Sequence, residues 1–175
     1  MTFLFLRGGV FSLLVAAALT VSNPAAAETF LNGLEGSWSG SGLIKTTEKG
    51  NQENIRCRLV NSIVGSGESL RVSGNCAVSG FVFPVVGSII ADSASSYRST
   101  IFNNVSWVQV DQFAGRARGS RLTLVYKGRD RTTKKPVNAS VIIAKRGGKF
   151  DISLRTTDAD TKRAFNMGTI KFSSR

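Results

Sequence analysis

The chain has 175 residues, a net charge of +12 and two cysteines, and it contains no histidine. The missing histidine excludes Ser-His-Asp and Cys-His nucleophile systems, and it excludes zinc, iron or haem held by histidine. Neither a Gly-x-Ser-x-Gly motif nor a glycine-rich phosphate loop occurs. We therefore expect a protein without enzyme activity, cofactor or metal site.

The first 27 residues have the layout of a secretory signal peptide. Arg7 is followed by an apolar run from Val10 to Val21, and the segment ends in the small residues 25–27. A membrane anchor is disfavoured, because the run is shorter than the roughly 20 residues that a spanning helix needs. We predict cleavage before Glu28, which leaves residues 28–175 as one domain without a transmembrane segment. The predicted location is the periplasm or the exterior, with peripheral attachment to the outer membrane left open.

The rest of the chain alternates between apolar and polar residues, a pattern typical of half-buried antiparallel strands. In residues 54–64, for example, Ile55, Cys57 and Leu59 share one face, while Arg56 and Arg58 share the other. The same pattern predicts further strands at 37–46, 69–78, 81–91, 97–103, 105–112, 120–128, 137–145, 149–156 and 164–172.

Glycine-rich turns separate these strands, at 65–67, 115–119, 128–136 and 147–148. One short helix is expected, either at Phe30–Leu34 or at Asp92–Ser96. We predict an all-β fold, a single up-and-down antiparallel barrel of about 8–10 strands, because closure removes aggregation-prone edges.

The two cysteines fall on the apolar faces of neighbouring predicted strands. If Cys57 faces Cys76, then Ile63 faces Leu70 and the turn falls on residues 65–68, where the glycines already predict one. Export to an oxidising compartment favours a bond between such a pair. We therefore predict a cross-strand Cys57–Cys76 disulfide, which contributes about 3 kcal/mol on the chain-entropy model.

Residues 34–42, LEGSWSGSG, place one large indole among small side chains. The Gly36-Ser37-Trp38 part resembles the start of the first strand in lipocalins and other calycin barrels, and the longer stretch resembles nitrobindin-type barrels. The resemblance implies that Trp38 closes one end of a barrel. Nitrobindins hold haem through a histidine, so their activity is not implied for this chain.

The same stretch, together with residues 53–58 and 73–76, resembles a family of small uncharacterised exported proteins of alphaproteobacteria. That resemblance implies an exported calycin-like barrel and no particular activity. A tryptophan-bearing first strand beside a disulfide also resembles small bacterial barrels that inhibit secreted metalloproteases. A protease therefore stays open as an alternative partner.

Positive charge is concentrated in the second half of the chain. Residues 28–111 contain six Lys/Arg and seven Asp/Glu, whereas residues 112–175 contain sixteen and four. A one-sided positive field attracts polyanions such as lipopolysaccharide or anionic lipid, although a merely solubilising surface is the alternative. No aromatic-interleaved recognition motif occurs, and we expect no nucleic-acid partner.

The candidate anion-binding residues lie in three predicted loops. In a meander, the first and third loops share one end of the barrel, and the second shares the other end with Lys162 and Arg163. The three groups are Arg116 and Arg118; Lys127, Arg129, Arg131, Lys134 and Lys135; and Lys145 and Arg146.

Aromatic and aliphatic side chains are predicted to face the barrel interior. If they do not fill it, they line a cavity for a small apolar or amphiphilic ligand; otherwise the loops bind anionic envelope material or a partner protein. Asp158 and Asp160 form a candidate carboxylate pair, with a solvated turn as the alternative. The interior set is Trp38, Leu59, Phe81, Phe83, Trp107, Leu122, Tyr126, Phe150 and Leu154, of which Trp38, Trp107, Tyr126 and Phe150 are the candidate ligand-binding residues.

Overall fold

The computed structural model describes residues 28–101, 108–109, 113–130, 134–158 and 161–175. The predicted signal peptide, residues 1–27, lies outside these ranges, as does most of the strand predicted at 105–112. The described residues form one helix and eleven strands: α1 Glu28–Asn32, β1 Gly36–Ile44, β2 Glu53–Val64, β3 Ser69–Val78, β4 Phe81–Ala91, β5 Ser96–Ser99, β6 Val108–Gln109, β7 Phe113–Arg118, β8 Arg121–Asp130, β9 Pro136–Arg146, β10 Lys149–Thr157 and β11 Ala164–Ser174.

Ten of these strands close into an antiparallel barrel, as the alternating pattern predicts. Their order around the barrel is β8, β7, β5, β4, β3, β2, β1, β11, β10 and β9, and β9 pairs with β8 to complete the ring. The two-residue strand β6 pairs with the far end of β8. Each of the ten strands has a neighbour on both sides, although β4 pairs with β5 only through residues 89–91. Closure thus reduces the exposed edges that promote aggregation.

The hairpin of β2 and β3 has the register that the cysteines predict. Cys57 pairs with Cys76 and Ile63 pairs with Leu70. The two cysteines form a disulfide, and both are buried in the inner face of the barrel. The predicted bond is therefore confirmed.

The turn predicted at 115–119 is wrong over most of its length, and the turn predicted at 128–136 is wrong at both of its ends. Residues 113–118 form β7, which pairs with β5 on one side and with β8 on the other, so only Gly119 and Ser120 remain between strands. Likewise β8 continues to Asp130, two residues past the expected start of the loop at residue 128, and β9 begins at Pro136. Glycine within a paired strand produced both errors, because glycine otherwise marks turns in the sequence.

The predicted helix is confirmed at the first of its two alternative positions, since α1 occupies Glu28–Asn32. In the second alternative, Asp92–Ser96, residues 92–95 form bends between β4 and β5, and Ser96 is the first residue of β5. The backbone N–H groups of Asp92 and Ser93 both donate to the Ser96 carbonyl oxygen, which holds this short connection.

The two ends of the barrel differ. At the end where β1 begins, the segment 28–34 contacts Asn61 of β2, Tyr97 of β5 and Lys145 of β9, which lie on different sides of the ring. This end, which we call the helix end, is therefore covered. At the opposite end, which we call the loop end, the described loops 45–52, 79–80, 134–135 and 161–163 consist of polar residues and glycine.

The small residues around Trp38 make room for an aromatic cluster on the inner face. The Trp38 indole meets the Phe150 ring edge-on, with 4.7 Å between ring centroids, and Phe150 stacks on Phe172 at 4.6 Å. Gly40 pairs with Phe172 across β1 and β11, and a Cβ atom on Gly40 would overlap the Phe172 ring. A glycine is therefore required two residues after the tryptophan.

Candidate functional site

The interior of the barrel is not filled. It contains a cavity of about 160 Å³. Of the 27 described residues that line it, only Asn61, Ser140, Arg155 and Thr156 are polar or charged. The rest include branched aliphatic, aromatic and disulfide side chains, among them Ile55, Leu59, Leu70, Val72, Phe150, Ile152, Leu154 and Ile170. Enclosed apolar cavities of about this size take up benzene or xenon, and the cavity here is partly open to the exterior.

The cavity runs along much of the barrel axis. Leu34, which follows α1, lines it at the helix end, and Met167 and Thr156 line it near the loop end. The disulfide of Cys57 and Cys76 forms part of the wall between them. The residues that line the cavity thus come from most strands of the ring.

Asn61 is a buried polar residue in the cavity wall. Its Nδ2 donates to the Leu34 carbonyl oxygen at 2.8 Å, and the same oxygen accepts a hydrogen bond from Trp38 Nε1 at 2.9 Å. Asn61 Oδ1 is buried and has no hydrogen-bond partner among the described residues. The sequence carried a signal for this residue, since position 61 is polar on the otherwise apolar face of β2.

The predicted ligand-binding residues are only partly brought together. Phe150 lines the cavity, whereas Trp38 is not among the lining residues and packs against the Phe150 ring at the helix end. Tyr126 is buried against the Phe113 ring, 5.3 Å between centroids, and is not among the lining residues. Trp107 lies outside the described residues.

The interior set contains one clear error, Phe81. Its side chain is 70% exposed, and Val82 beside it is 61% exposed. Phe81 is the first residue of β4 and therefore projects beyond the wall at the loop end. Its ring stacks on Phe83, with 6.5 Å between centroids, and Phe83 does line the cavity.

The basic half of the chain forms one side of the barrel. Strands β7 to β11 are consecutive neighbours in the ring and make one wall, and strands β1 to β5 make the other. The turn 119–120 and the turn 147–148 lie at the helix end, while residues 134–135 share the loop end with Lys162 and Arg163. The structure therefore groups these segments as a meander predicts; their binding of anions stays a prediction.

Several of the candidate cations lie in strands rather than in the expected loops. Arg116 and Arg118 are exposed positions of β7, Lys127 and Arg129 belong to β8, and Arg146 ends β9. Arg129 donates to the Lys134 carbonyl oxygen at 3.1 Å, which ties the end of β8 to its loop. Lys134 and Lys135 are exposed loop residues, and Arg131 lies outside the described residues.

Lys145 holds α1 in place and is not a loop cation. Its Nζ donates to the Phe30 carbonyl oxygen at 2.9 Å and lies 4.5 Å from the centroid of the Phe30 ring. Burial lowers the pKa of Lys145 below its ordinary value, because the charged ammonium loses hydration. Lys145 is thus engaged with the N-terminal segment.

Asp158 belongs to a hydrogen-bonded turn. Its Oδ1 accepts from the backbone N–H of Thr161 at 2.9 Å, and its carbonyl oxygen accepts from the N–H of Lys162. Asp160 lies outside the described residues. Within the described ranges, no three Cys, Asp or Glu side chains are grouped as a metal site would require.

These features define a class of protein: a closed ten-stranded antiparallel β-barrel with a covered helix end and an apolar interior cavity. A similar fold occurs in the crystal structure of Rv2717c from M. tuberculosis, with a TM-score of 0.62 and 16% sequence identity over 87% of this chain and 99% of that chain. At this identity the similarity concerns the fold alone. No protein-family model and no curated protein matches the sequence. No helix in the described ranges is long and apolar enough to span a membrane.

Proposed function

We propose that the chain is an exported binding protein, not an enzyme, which holds a small apolar or amphiphilic ligand inside its barrel. The observation that carries this proposal is the apolar cavity of about 160 Å³. A well-packed interior has few voids larger than a water molecule, because side chains that line a void lose packing contacts. An unfilled space of this size therefore favours a role in binding a ligand. The export part rests on the signal-peptide pattern in residues 1–27.

The size and chemistry of the cavity limit the ligand. A volume of about 160 Å³ suits a single aromatic ring or a short alkyl chain, and it is smaller than the pockets of about 300–1,000 Å³ that hold drug-sized ligands. Charged groups are disfavoured deep in an apolar wall, because their desolvation is costly. The expected ligand is therefore small and uncharged in its buried part.

Toluene is a suitable probe, and thermal unfolding is a suitable readout. Toluene is expected to raise the melting temperature, because a ligand at about 100 times its Kd stabilises the folded state by about 2.7 kcal/mol. Leu154→Trp, which places a large side chain in the cavity wall, is expected to abolish the shift. Val125→Trp on the outer face, 51% exposed in β8, is the matched control and should keep it. An unchanged melting temperature of the wild-type chain in toluene would contradict the proposal.

A second candidate is a surface that binds anionic envelope material. It is favoured by the charge of residues 112–175, which contain sixteen Lys/Arg and four Asp/Glu. The described strands of this segment, β7 to β11, are consecutive neighbours in the ring. Replacing Lys127, Arg129, Arg131, Lys134 and Lys135 by Gln should then release the protein from envelope fractions. Salt separates the two candidates, because contacts with a polyanion weaken as ionic strength rises, whereas toluene binding barely responds.

A further inference from the structure

The tip of the hairpin formed by β3 and β4 is an exposed apolar feature at the loop end. Val78 pairs with Phe81, so Ser79 and Gly80 alone form the turn. Both have positive φ, 48° and 82°, as expected for a type I′ turn, which favours glycine. Ser79 Oγ donates to Glu53 Oε2 at 2.7 Å and fixes the tip to β2. The exposed side chains of Phe81 and Val82 are therefore presented by a braced turn.

The end of the barrel that carries this tip also has a positive charge. Its described loops contain Lys45, Lys49, Lys134, Lys135, Lys162 and Arg163 against Glu48 and Asp158, and Glu53 begins β2. Glu48 accepts a hydrogen bond from Thr161, and Glu53 accepts one from Ser79. Arg56 of β2 pairs with Ala77 of β3, which pairs with Val82 of β4, so Arg56 and Val82 lie in one row across the outer face. Arg56 is exposed. An apolar tip among cations is complementary to an anionic lipid surface.

We propose that the loop end docks on an anionic lipid membrane, with Phe81 and Val82 inserted among the lipids. Charge alone does not select this end, because the turns at the helix end are also basic. The loop end is selected by Phe81, an aromatic residue that is 70% exposed. The stacked rings of Phe81 and Phe83 connect the tip to the cavity wall. Docking would thus let a membrane-dissolved ligand enter the barrel. This consequence rests on the proposed function, but the docking proposal itself is independent of it.

The test is co-sedimentation of the mature chain with vesicles of phosphatidylglycerol and, separately, of phosphatidylcholine. The wild-type chain is expected to bind phosphatidylglycerol vesicles and to bind phosphatidylcholine vesicles at least about tenfold more weakly, with binding that falls as salt is added. Phe81→Asp with Val82→Asp should lower binding to phosphatidylglycerol by about tenfold or more, because insertion of both side chains is lost.

The matched control is Val60→Asp with Val86→Asp. These residues are 55% and 50% exposed on the outer face of the barrel wall. Both pair with Ser73 of β3, so they lie in one row across β2, β3 and β4. This variant adds the same negative charge away from the tip and should change binding less than about threefold. Equal losses in both double variants, or no binding by the wild-type chain, would overturn the proposal. Retention on envelope proteins but not on vesicles would also overturn it, in favour of a protein partner.

The toluene experiment distinguishes the two proposals. The variant Phe81→Asp with Val82→Asp leaves the cavity wall intact and should still give the wild-type thermal shift in toluene, which also shows that it folds. Loss of vesicle binding with the toluene shift kept supports docking. Vesicle binding without any toluene shift keeps docking and overturns the carrier proposal.

Discussion

Gly40 and Phe172 face each other across β1 and β11, and the Phe172 ring occupies the space that a side chain at position 40 would need. This contact lets Phe172 stack on Phe150, which in turn packs against Trp38. The three rings close the inner face near the helix end. The contrast between one indole and its small neighbours in residues 34–42 therefore has a packing explanation.

Gly40→Ala is expected to destabilise the barrel by about 1–3 kcal/mol, because the added methyl group must displace the Phe172 ring. Chemical denaturation followed by tryptophan fluorescence measures the change. Ser39→Ala, at an exposed position of β1, is the control and should change the free energy of unfolding by less than about 0.5 kcal/mol. Equal effects of the two substitutions would contradict this packing account.

Asn61 is expected to tolerate an apolar substitution better than a nearly isosteric charged one. Asn61→Leu loses the bond to the Leu34 carbonyl oxygen but also removes the unpartnered Oδ1, so the net change should stay within about 1 kcal/mol. Asn61→Asp places an ionised carboxylate beside that oxygen and should cost more than about 3 kcal/mol at neutral pH.

The cost of Asn61→Asp should shrink as the pH falls. Burial raises the pKa of a carboxyl group, and once protonated the new side chain can donate to the Leu34 carbonyl oxygen. Unfolding free energies measured at acidic and neutral pH test this, with Asn61→Leu as the reference. A pH-independent difference between the two variants would be inconsistent with a buried site.

Part of the fold could be predicted because each signal was redundant. Cys57 and Cys76 set a register that the glycines of the following turn also set, and β4 was predicted at its observed bounds, 81–91. The errors came from residues with two readings. Gly115 reads as a turn yet is paired in β7, and Phe81 reads as core yet stands at the end of its strand.

The site was predicted less completely than the fold. The sequence identifies Phe150 as a residue of the site. A cavity, however, depends on how side chains from many strands pack together, and the alternation of apolar and polar residues along one strand does not reveal this packing. Lys145 illustrates the same limit: it reads as part of a basic loop, and only the position of α1 shows that it holds the Phe30 carbonyl oxygen.

Replacing both cysteines by alanine is expected to lower the free energy of unfolding by about 3 kcal/mol. The disulfide closes a loop with a sequence separation of 19, and a loop of that length gives this value on the chain-entropy model. Thiol labelling of the denatured wild-type chain without reductant should detect no free thiol. Two reactive thiols per chain, or an unaltered stability, would contradict the structural role of the bond.

Lys145→Met is expected to change how stability depends on pH. Burial lowers the pKa of Lys145 in the folded state, so the folded chain loses this proton at a lower pH than the unfolded chain does. As the pH rises towards the ordinary lysine value of 10.5, the unfolded chain therefore holds more protons than the folded chain. The contribution of Lys145 to stability therefore increases over that range, and Lys145→Met should lose this increase. Lys149→Met, at an exposed position of the same end, should keep it.

The most direct test of the central claim is a crystal structure of residues 28–175 under xenon pressure. Xenon binds in dry apolar cavities, and we expect it inside the barrel against Phe150, Leu154 and Ile170, and absent in Leu154→Trp. A barrel whose side chains close the space without xenon, or one whose interior holds ordered water, would contradict the claim that this protein keeps an apolar ligand site.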